Sequence, residues 1–521
     1  MLRRIYVRYE LLLDVAGVCL VALFLRLWGL SFDLPYLYHP DEYPYVAIAL
    51  NILKTGDYNP HFFNYPSLFF YVLAAAYIPY FLLYASRGML RNLDGLTLPM
   101  EVIPRDVALA TMPSQFLVGR MISVVFALAT VALIYLIGRE LYNRRVGFIA
   151  ALLLAVSFTH VRISHFITPD VIMTFFVTLS VILCWRIVAR GRLRDYLLAG
   201  AAIGLAATTK YNAGITVLLL LLAHVMSSAR RVWLDGKLVA AIALSGVVFV
   251  GGSPYSILDL SRFLNDLAFE VGHYSLLSEV GQVGSTWSWY IQYLWGKEGV
   301  VLLLAGLQTI RAGLTRSKRD IYVAAFTVGY FCFAASYIVR NDRTLAPVLP
   351  ALGLMASILL DHLATRLCAW QALASRAAMR HMPLLLLVGI ATSVSAFNTV
   401  QLDRRLVQGD VRTEAGAWVE QNLPAGSRIV VESYSPMFAE SVHHLQYRRF
   451  ATDETLAWYR QNQDYLVLYS RGHYAAVARD PRDLTGQMAQ YQDIFSSFTL
   501  LREFAGSSLG YPFWVRVYQV Q

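Results

Sequence analysis

The feature that most constrains this chain is a series of long apolar segments separated by short loops rich in arginine. A helix that crosses a bilayer needs about 20 mostly apolar residues. Charged residues make up 15% of the 521 residues and hydrophobic residues 57%, whereas a soluble domain has about 25% charged residues. The sequence therefore predicts a multi-pass helical membrane protein. The eleven predicted spans are 10–29, 116–138, 146–165, 171–189, 196–209, 213–229, 237–255, 295–312, 320–339, 344–364 and 383–400.

The net charge of +10 comes from the first 400 residues, which carry 32 basic and 21 acidic side chains. The remaining residues carry 12 basic and 13 acidic side chains, so they are nearly neutral. The basic excess occupies every second loop between the predicted spans, as the positive-inside rule requires of cytoplasmic loops. We therefore predict an inner (plasma) membrane protein with a cytoplasmic N-terminus and an extracytoplasmic C-terminus. A nucleic-acid partner is not indicated.

Two long outer loops interrupt the predicted transmembrane domain, residues 1–400. The first loop, 30–115, contains the apolar segment 66–86. Its tyrosines and prolines favour a helix that lies in the outer interface or re-enters the membrane. The alternative is that this segment spans the membrane and that a second span lies within 87–113. The second long loop is 256–294.

The last part of the chain, 401–521, has the composition of a small water-exposed domain. The run WVEQNLPAGSRIVVESYSP, residues 418–436, predicts a helix, a turn and a strand, and the run DYLVLYS, residues 464–470, predicts a second strand. We therefore predict a small α/β domain on the extracytoplasmic face.

Two adjacent carboxylates in the first outer loop are candidates for acid–base chemistry. Asp41 and Glu42 precede an amphipathic helix that is predicted over 42–54. A carboxylate can act as a general base when it lies about 2.6–3.2 Å from the group whose proton it removes. Neighbouring helical residues point in different directions, so only one of the two acids is expected to face a pocket. Capping of the helix by Asp41 is the structural alternative.

A third carboxylate, Asp170, lies between two predicted spans. It follows Thr168 and Pro169, a usual start of a helix, and an acid in the first turn favours the helix dipole. These local effects are sufficient to explain Asp170. The functional alternative is that Asp170 faces Asp41 across a cavity.

Cationic side chains lie at the outer ends of several predicted spans. An ionisable group within a span costs about 2.5–3.5 kcal/mol on insertion scales, and it usually faces a cavity or a partner. Snorkelling of the side chain toward the interface is the alternative. Together these groups predict a cationic rim that can hold a phosphate. The candidates are Arg120, Arg162, His165, Lys210, Arg340 and Arg343.

The order of these motifs resembles that of the GT-C membrane glycosyltransferases, in particular the protein O-mannosyltransferase-like group, which includes the aminoarabinose transferase that modifies lipid A. The resemblance covers about residues 5–365. The motifs are His39-Pro40-Asp41-Glu42, Thr55-Gly56-Asp57, Asn64-Tyr65-Pro66, Gly119-Arg120, Gly138-Arg139, Pro169-Asp170, Thr209-Lys210, and Arg343 before Pro347 and Pro350.

The resemblance implies a GT-C-like, all-α polytopic domain of about 11–13 transmembrane helices. It also implies inverting transfer of a sugar from a polyprenyl-phosphate donor to an acceptor on the outer face. The catalytic acids would be Asp41, Glu42 and Asp170, with Asp41 as the base or the residue that orients the acceptor. The residues implied to bind the donor phosphate or sugar are His39, Tyr65, Arg120, Arg162, His165, Lys210 and Arg343. No cofactor or metal site is predicted.

The chain also departs from the lipid A enzyme, which has basic residues that help to hold the donor phosphate where this chain has Pro44 and Tyr65. These departures leave the donor and its phosphate ligands open. Two alternative functions remain: a transporter or flippase of lipid-linked substrates, and a GT-C-like scaffold without activity. The sequence has no repeat of the kind that transporters often contain.

Overall fold

The protein is described by a computed structural model, which covers most of the chain. The described residues are 2–98, 100–102, 107–227, 235–275, 284–369, 382–437, 442–470, 473–479, 486–508 and 511–520. The described residues up to Gln408 form a mainly helical domain, and those after it form a smaller α/β domain.

The helical domain contains long helices and several short ones. Its α-helices are Leu2–Leu27, Glu42–Thr55, Leu68–Ser86, Pro113–Leu141, Arg144–Ala155, Phe158–Ser164, Pro169–Arg190, Leu193–Ala207, Val217–Ser227, Gly236–Gly252, Tyr255–Leu258, Leu260–Ser275, Thr286–Glu298, Val300–Thr315, Lys318–Ala335, Leu349–Cys368 and Met382–Gln408. The 3-10 helices are Leu93–Gly95, Tyr211–Thr216 and Asp342–Val348.

Within the described residues, five helices are long and apolar enough to cross a membrane, or six if one bent pair counts as a single span. Three shorter apolar helices accompany them, Tyr211–Ser227, Gly236–Gly252 and Val300–Thr315. The candidate spans are Leu68–Ser86, Pro113–Leu141, Pro169–Arg190, Asp342–Cys368 and Met382–Asn422. The predicted multi-pass helical architecture is confirmed.

The predicted span 146–165 is bent by 58° between Arg144–Ala155 and Phe158–Ser164. Ser157 caps the second helix, because its side chain accepts a hydrogen bond from the backbone of His160. The buried carboxylate of Glu298 accepts further hydrogen bonds from the Ser157 hydroxyl (3.0 Å) and the Thr159 backbone N–H (3.1 Å). The polar groups exposed by the bend are therefore satisfied inside the protein, as a membrane interior requires.

Two glycines of the predicted motifs permit close packing. A Cβ atom on Gly138 would lie 2.6 Å from the Cα atom of Gly147 on the next helix. A Cβ atom on Gly119 would lie 2.6 Å from the side chain of Ile167, in the turn before Asp170. Small residues at these contacts let the helices and the turn approach each other.

The first outer loop contains helices and strands over much of its described length. Leu68–Ser86 is itself a candidate span by length and composition. The alternative of a second span within 87–113 is wrong for the described part of that segment. This part forms a 3-10 helix and two strands, Met100–Val102 and Val107–Leu109. These strands and Tyr36–Leu37 make a three-stranded antiparallel sheet.

The second long outer loop, 256–294, is largely helical where it is described. It contains Tyr255–Leu258, Leu260–Ser275 and the start of Thr286–Glu298. The aromatic run near Trp289 lies on the last of these helices.

The C-terminal domain has a five-stranded mixed sheet, and helices flank it on both faces. The spatial order of the strands is His444–Arg448, Arg428–Glu432, Tyr465–Tyr469, Tyr511–Gln519 and Thr499–Ser508, with the first three parallel and the last two antiparallel to their neighbours. The flanking helices are Val411–Asn422, Leu456–Asn462, His473–Arg479 and Gln487–Ser497. Alternate residues of Arg428–Glu432 face two separate hydrophobic cores, as a strand buried on both faces requires. The predicted α/β character is confirmed.

Candidate active site

Two acid–cation pairs lie at this site, one between the first outer loop and the 3-10 helix Asp342–Val348 and one between two helix ends. Asp41 Oδ2 lies 2.8 Å from Arg343 Nη1, and Asp170 Oδ1 lies 2.9 Å from Lys210 Nζ. The four residues come from four distant parts of the chain. Lys210 also affects the carboxyl group of Asp41 electrostatically, so the two pairs lie within range of each other.

Asp41 occupies the position before the helix Glu42–Thr55, but its side chain makes no capping hydrogen bond. The predicted structural alternative, helix capping by Asp41, is therefore wrong. The carboxylate instead points to Arg343, and the side chains of Asp41 and Arg343 are 30% and 19% exposed. This pair is accessible to a ligand.

Charge keeps Asp41 ionised. Burial would raise its pKa, but Arg343 and, more weakly, Lys210 outweigh burial, and the pKa lies below its usual value. The neighbouring His39 has its pKa lowered to about 4 by burial. Its Nδ1 atom lies 3.3 Å from the backbone nitrogen of Asp41 and accepts that N–H, and its ring packs on Phe166 with centroids 4.5 Å apart. Neutral His39 thus supports the backbone that carries Asp41.

Asp170 has both a local and a distant partner. The Thr168 side chain accepts from the Asp170 backbone N–H, and its hydroxyl donates to Asp170 Oδ2 at 2.6 Å. Thr168-Pro169 therefore starts a helix, as the sequence suggests. The second carboxylate oxygen binds Lys210, and Asp170 is 1% exposed. Asp170 thus fixes the position of Lys210.

Glu42 and Arg120 form a third pair, which is closed to ligands. Their side chains are each 1% exposed, and two hydrogen bonds of 3.0 and 2.7 Å join them. Arg120 also donates to the backbone carbonyls of Leu30 and Phe32, and Glu42 accepts from the Ile167 backbone N–H. This pair joins the loop that carries Asp41 to the turn that carries Asp170.

Arg162 and His165 have protein partners of their own. Arg162 forms an ion pair with Asp342, which precedes Arg343. Asp342 also accepts a hydrogen bond of 2.8 Å from the Tyr293 hydroxyl. His165 is fully buried, and its ring nitrogens lie 3.0 and 3.1 Å from the carbonyl oxygens of Val161 and Trp28. The structure brings Arg162 near Arg343 through Asp342 and places His165 among backbone groups.

A cavity of about 120 Å³ adjoins Lys210. The Lys210 ammonium lies 5.4 Å from the centroid of the Tyr65 ring, within the range of a cation–π contact. Tyr65 therefore lines the site at the position where the resembled enzyme has a cation. The residues that line this cavity include Tyr65, Lys210, Tyr211, Glu270, Tyr274 and Tyr337.

The acids Asp266 and Glu270 of the helix Leu260–Ser275 were not among the predicted site residues. Asp266 accepts from the backbone N–H of Phe63 at 2.8 Å, and Glu270 accepts from the Asn64 side chain at 2.7 Å. Both bonds hold the segment that carries Tyr65. The i, i+4 spacing of Asp266 and Glu270, which puts both acids on one helical face, is the signal that could have identified them.

No group of three or more His, Cys, Asp and Glu side chains within the described residues is arranged to hold a metal ion. The described site therefore consists of carboxylates, cations and aromatic rings. Such a set can hold a phosphate, pack against a sugar or an isoprenoid, and accept a proton.

Part of the chain matches a known family. Residues 108–255 match the family described as dolichyl-phosphate-mannose-protein mannosyltransferase. The matched stretch contains Arg120, Asp170 and Lys210. No curated protein matches the chain.

Solved structures share the fold over nearly the whole chain. The archaeal oligosaccharyltransferase AglB from Archaeoglobus fulgidus, in complex with an inhibitory peptide and a dolichol-phosphate, has a TM-score of 0.57 and 12% identity, over 98% of this chain and 74% of AglB. ArnT from Cupriavidus metallidurans, bound to undecaprenyl phosphate, has a TM-score of 0.51 and 16% identity, over 97% of each chain. Together the matches show that this protein has the GT-C glycosyltransferase fold, and the resemblance seen in the sequence is confirmed.

Proposed function

We propose that this protein is an inverting glycosyltransferase that moves a sugar from a polyprenyl-phosphate donor to an acceptor on the extracytoplasmic face. The observation that carries the proposal is the accessible pair of Asp41 and Arg343 beside Lys210 and its aromatic cavity. A general base for the acceptor and fixed cations near the leaving phosphate both favour this reaction. The family match and the phosphate lipids bound to AglB and ArnT support a lipid-phosphate donor.

The two cations act on the leaving group. As the bond between the anomeric carbon and the phosphate oxygen breaks, its electron pair stays with the phosphate, and negative charge increases there. Fixed cations that are positioned for this charge stabilise the transition state more than the ground state. Asp170 holds Lys210 in place, while Arg343, on an accessible pair, exchanges part of its contact with Asp41 for the phosphate.

Asp41 acts on the acceptor. Its ionised carboxylate accepts the proton of an acceptor hydroxyl while the hydroxyl oxygen bonds to the anomeric carbon from the face opposite the phosphate. A single displacement of this kind inverts the configuration of that carbon. General base catalysis of this type contributes about 10²–10⁴-fold to a rate.

The remaining predicted residues support these groups. Glu42 and Arg120 hold the Asp41 loop against the Asp170 turn, and Tyr65 forms a wall beside Lys210. His39 supports Asp41, and Arg162 engages the residue next to Arg343. Of the alternative functions, neither a transporter nor an inactive scaffold is favoured by the fold or the family match.

The test uses the full chain reconstituted in lipid with a panel of polyprenyl-phosphate sugars carrying mannose, glucose, galactose or arabinose. Release of polyprenyl phosphate is measured for the wild type, Asp41→Asn and the matched control Asp94→Asn, an exposed acid in the same outer loop. We expect turnover with one donor, its loss in Asp41→Asn and its retention in Asp94→Asn. Turnover that survives in Asp41→Asn would refute the role of Asp41, and folded protein that neither binds nor turns over any donor would refute the donor class.

A further inference from the structure

A second and larger cavity lies between the first outer loop and the C-terminal domain. Its volume is about 480 Å³, four times that of the cavity beside Lys210. Asp33, Leu34 and Tyr36 line it from the first outer loop. The segment from Arg405 to Glu414 and the strand residues Ala505 and Gly506 line it from the other side. None of the residues assigned above to catalysis or donor binding lines this cavity.

Two carboxylates in the cavity lack a partner within the described part of the chain. The carboxylates of Asp33 and Glu414 have no hydrogen bond or ion pair among the described residues, and the Asp33 backbone carbonyl accepts from the Tyr36 N–H at 2.8 Å. The third acid, Asp410, differs, because it binds the Arg412 guanidinium at 2.9 and 2.6 Å. Asp33 has a backbone φ of 61°, which L-residues rarely adopt and which is commoner at functional sites. Its carboxylate thus lines a cavity without a described bond.

An aromatic ring gives the cavity a flat apolar wall. Tyr36 stacks on Tyr38 with ring centroids 5.9 Å apart and an angle of 22°. Tyr38 is fixed in turn, since the Arg412 guanidinium lies 3.8 Å from its ring centroid and its hydroxyl is 3.2 Å from that of Thr413. The wall formed by Tyr36 is therefore held by the C-terminal domain.

The lining has the chemistry that recognises a polyhydroxylated ring. Carboxylates accept hydrogen bonds from hydroxyl groups, and Gln408 and Thr413 can both donate and accept. The C–H face of a sugar ring packs on an aromatic ring such as Tyr36. The lining carries three carboxylates, Asp33, Asp410 and Glu414, against the guanidinium of Arg405 and that of Arg412, which binds Asp410, and this excess of negative charge disfavours an anionic ligand. A neutral sugar chain satisfies all of these conditions.

The cavity is also within reach of the catalytic acid. Tyr36 and Asp41 are five positions apart in the chain, and five steps of extended chain span at most about 18 Å. A bound chain of a few sugar units would bridge this distance. The junction cavity therefore lies near Asp41 along the first outer loop.

We propose that the junction cavity binds the acceptor and that the acceptor is a neutral glycan, whose chain is recognised by Asp33, Glu414 and the Tyr36 ring. This inference rests on the proposed glycosyltransferase function, because only a transferase has an acceptor. The binding of a glycan by the cavity is a separate property that can be measured without turnover. The experiment therefore measures binding.

Binding of oligosaccharide probes to the full chain in lipid nanodiscs is measured by saturation-transfer NMR. The probes are neutral mannose, glucose and galactose oligomers, a uronic acid oligomer and an amino-sugar oligomer. We expect at least one neutral oligomer to bind, with affinity reduced more than 10-fold in the double variant Asp33→Asn/Glu414→Gln. Gln408→Trp, which fills the cavity without removing a carboxylate, is expected to cause the same loss.

Two controls separate this proposal from the proposed function. Asp493→Asn, an exposed acid elsewhere in the C-terminal domain, is expected to leave binding unchanged. Asp41→Asn is also expected to bind the glycan normally even if turnover is lost. The proposal is refuted if no neutral oligomer binds to folded protein, if the uronic or amino-sugar oligomer binds more tightly, or if both cavity variants bind as the wild type does.

Discussion

Asp41 and Glu42 are neighbours in the chain, and yet they form two very different ion pairs. The pair of Glu42 and Arg120 is 1% exposed on both sides, and every carboxylate oxygen has a described partner. The pair of Asp41 and Arg343 is 30% and 19% exposed and has a single short contact. A buried pair cannot release a partner without leaving a charge in a low dielectric, whereas an accessible pair can. The first pair therefore suits a structural role and the second a chemical role.

The largest expected effect is on activity at the accessible pair. Asp41→Asn removes the proposed base and should lower kcat/KM by about 10²–10⁴-fold, which is the usual contribution of general base catalysis. Its thermal unfolding should change less than that of a variant of the buried pair, because Asp41 is partly exposed and asparagine keeps the size of the side chain and one oxygen acceptor. Initial rates and melting curves of the same preparation check both parts. A large loss of stability would remove the contrast between the two pairs.

The second effect is on stability at the buried pair. Arg120→Leu leaves the Glu42 charge buried without its partner and should cost about 3–5 kcal/mol. The free energy of unfolding in detergent is compared with that of Glu42→Gln/Arg120→Leu, in which the stranded charge is also removed. We expect the double variant to recover part of the loss. A single variant as stable as the wild type would contradict a structural role for this pair.

The third effect is on the pH dependence of the reaction. Burial raises the pKa of Asp41, and Arg343 is the main group that lowers it. In Arg343→Gln the pKa should therefore rise, and the acid limb of kcat/KM should move to higher pH. The wild type should lose activity only below about pH 4, near the usual aspartate pKa. A pH profile of the residual activity tests this shift, and Arg343→Lys, which keeps the charge, should keep the wild-type limb.

The smallest effect comes from exchanging arginine for lysine in each pair. Arg343 makes one described hydrogen bond to Asp41, which a lysine ammonium can replace. Arg120 uses its planar guanidinium for four hydrogen bonds, which lysine cannot reproduce. We expect Arg343→Lys to stay within about 10-fold of the wild-type rate, a change of about 1.4 kcal/mol. Arg120→Lys should be measurably less stable, and equal melting temperatures for the two variants would argue against this distinction.

Sequence reasoning identified side chains that lie close together in the structure, but it did not assign their partners. The motif order led to Asp41, Asp170, Lys210 and Arg343, which the structure brings into two nearby pairs. It also treated Arg120 as a phosphate ligand, although Arg120 is bound on all sides by Glu42 and two carbonyl groups. Arg120 and Arg343 each lie near the start of a predicted span, so their position in the sequence could not show which of them is closed to ligands.

The helix Leu260–Ser275 shows a second limit. Its acids bind the backbone and side chain of Phe63 and Asn64, about 200 residues away in the chain. The periodicity of a segment indicates a helix and its polar face. It does not indicate which distant segment meets that face.

The sequence by itself determined the features that depend on neighbouring residues. Apolar length determined the membrane helices, alternation and turns determined the strands at Arg428–Glu432 and Tyr465–Tyr469, and Thr168-Pro169 determined the start of a helix. These depend on local backbone energies and on transfer of short segments from water. Only the tertiary structure decided which acid met which cation, because ion-pair strength depends on distance and burial. Distance and burial hold Glu42 in a closed ion pair with Arg120 and leave Asp41, one residue earlier, partly exposed.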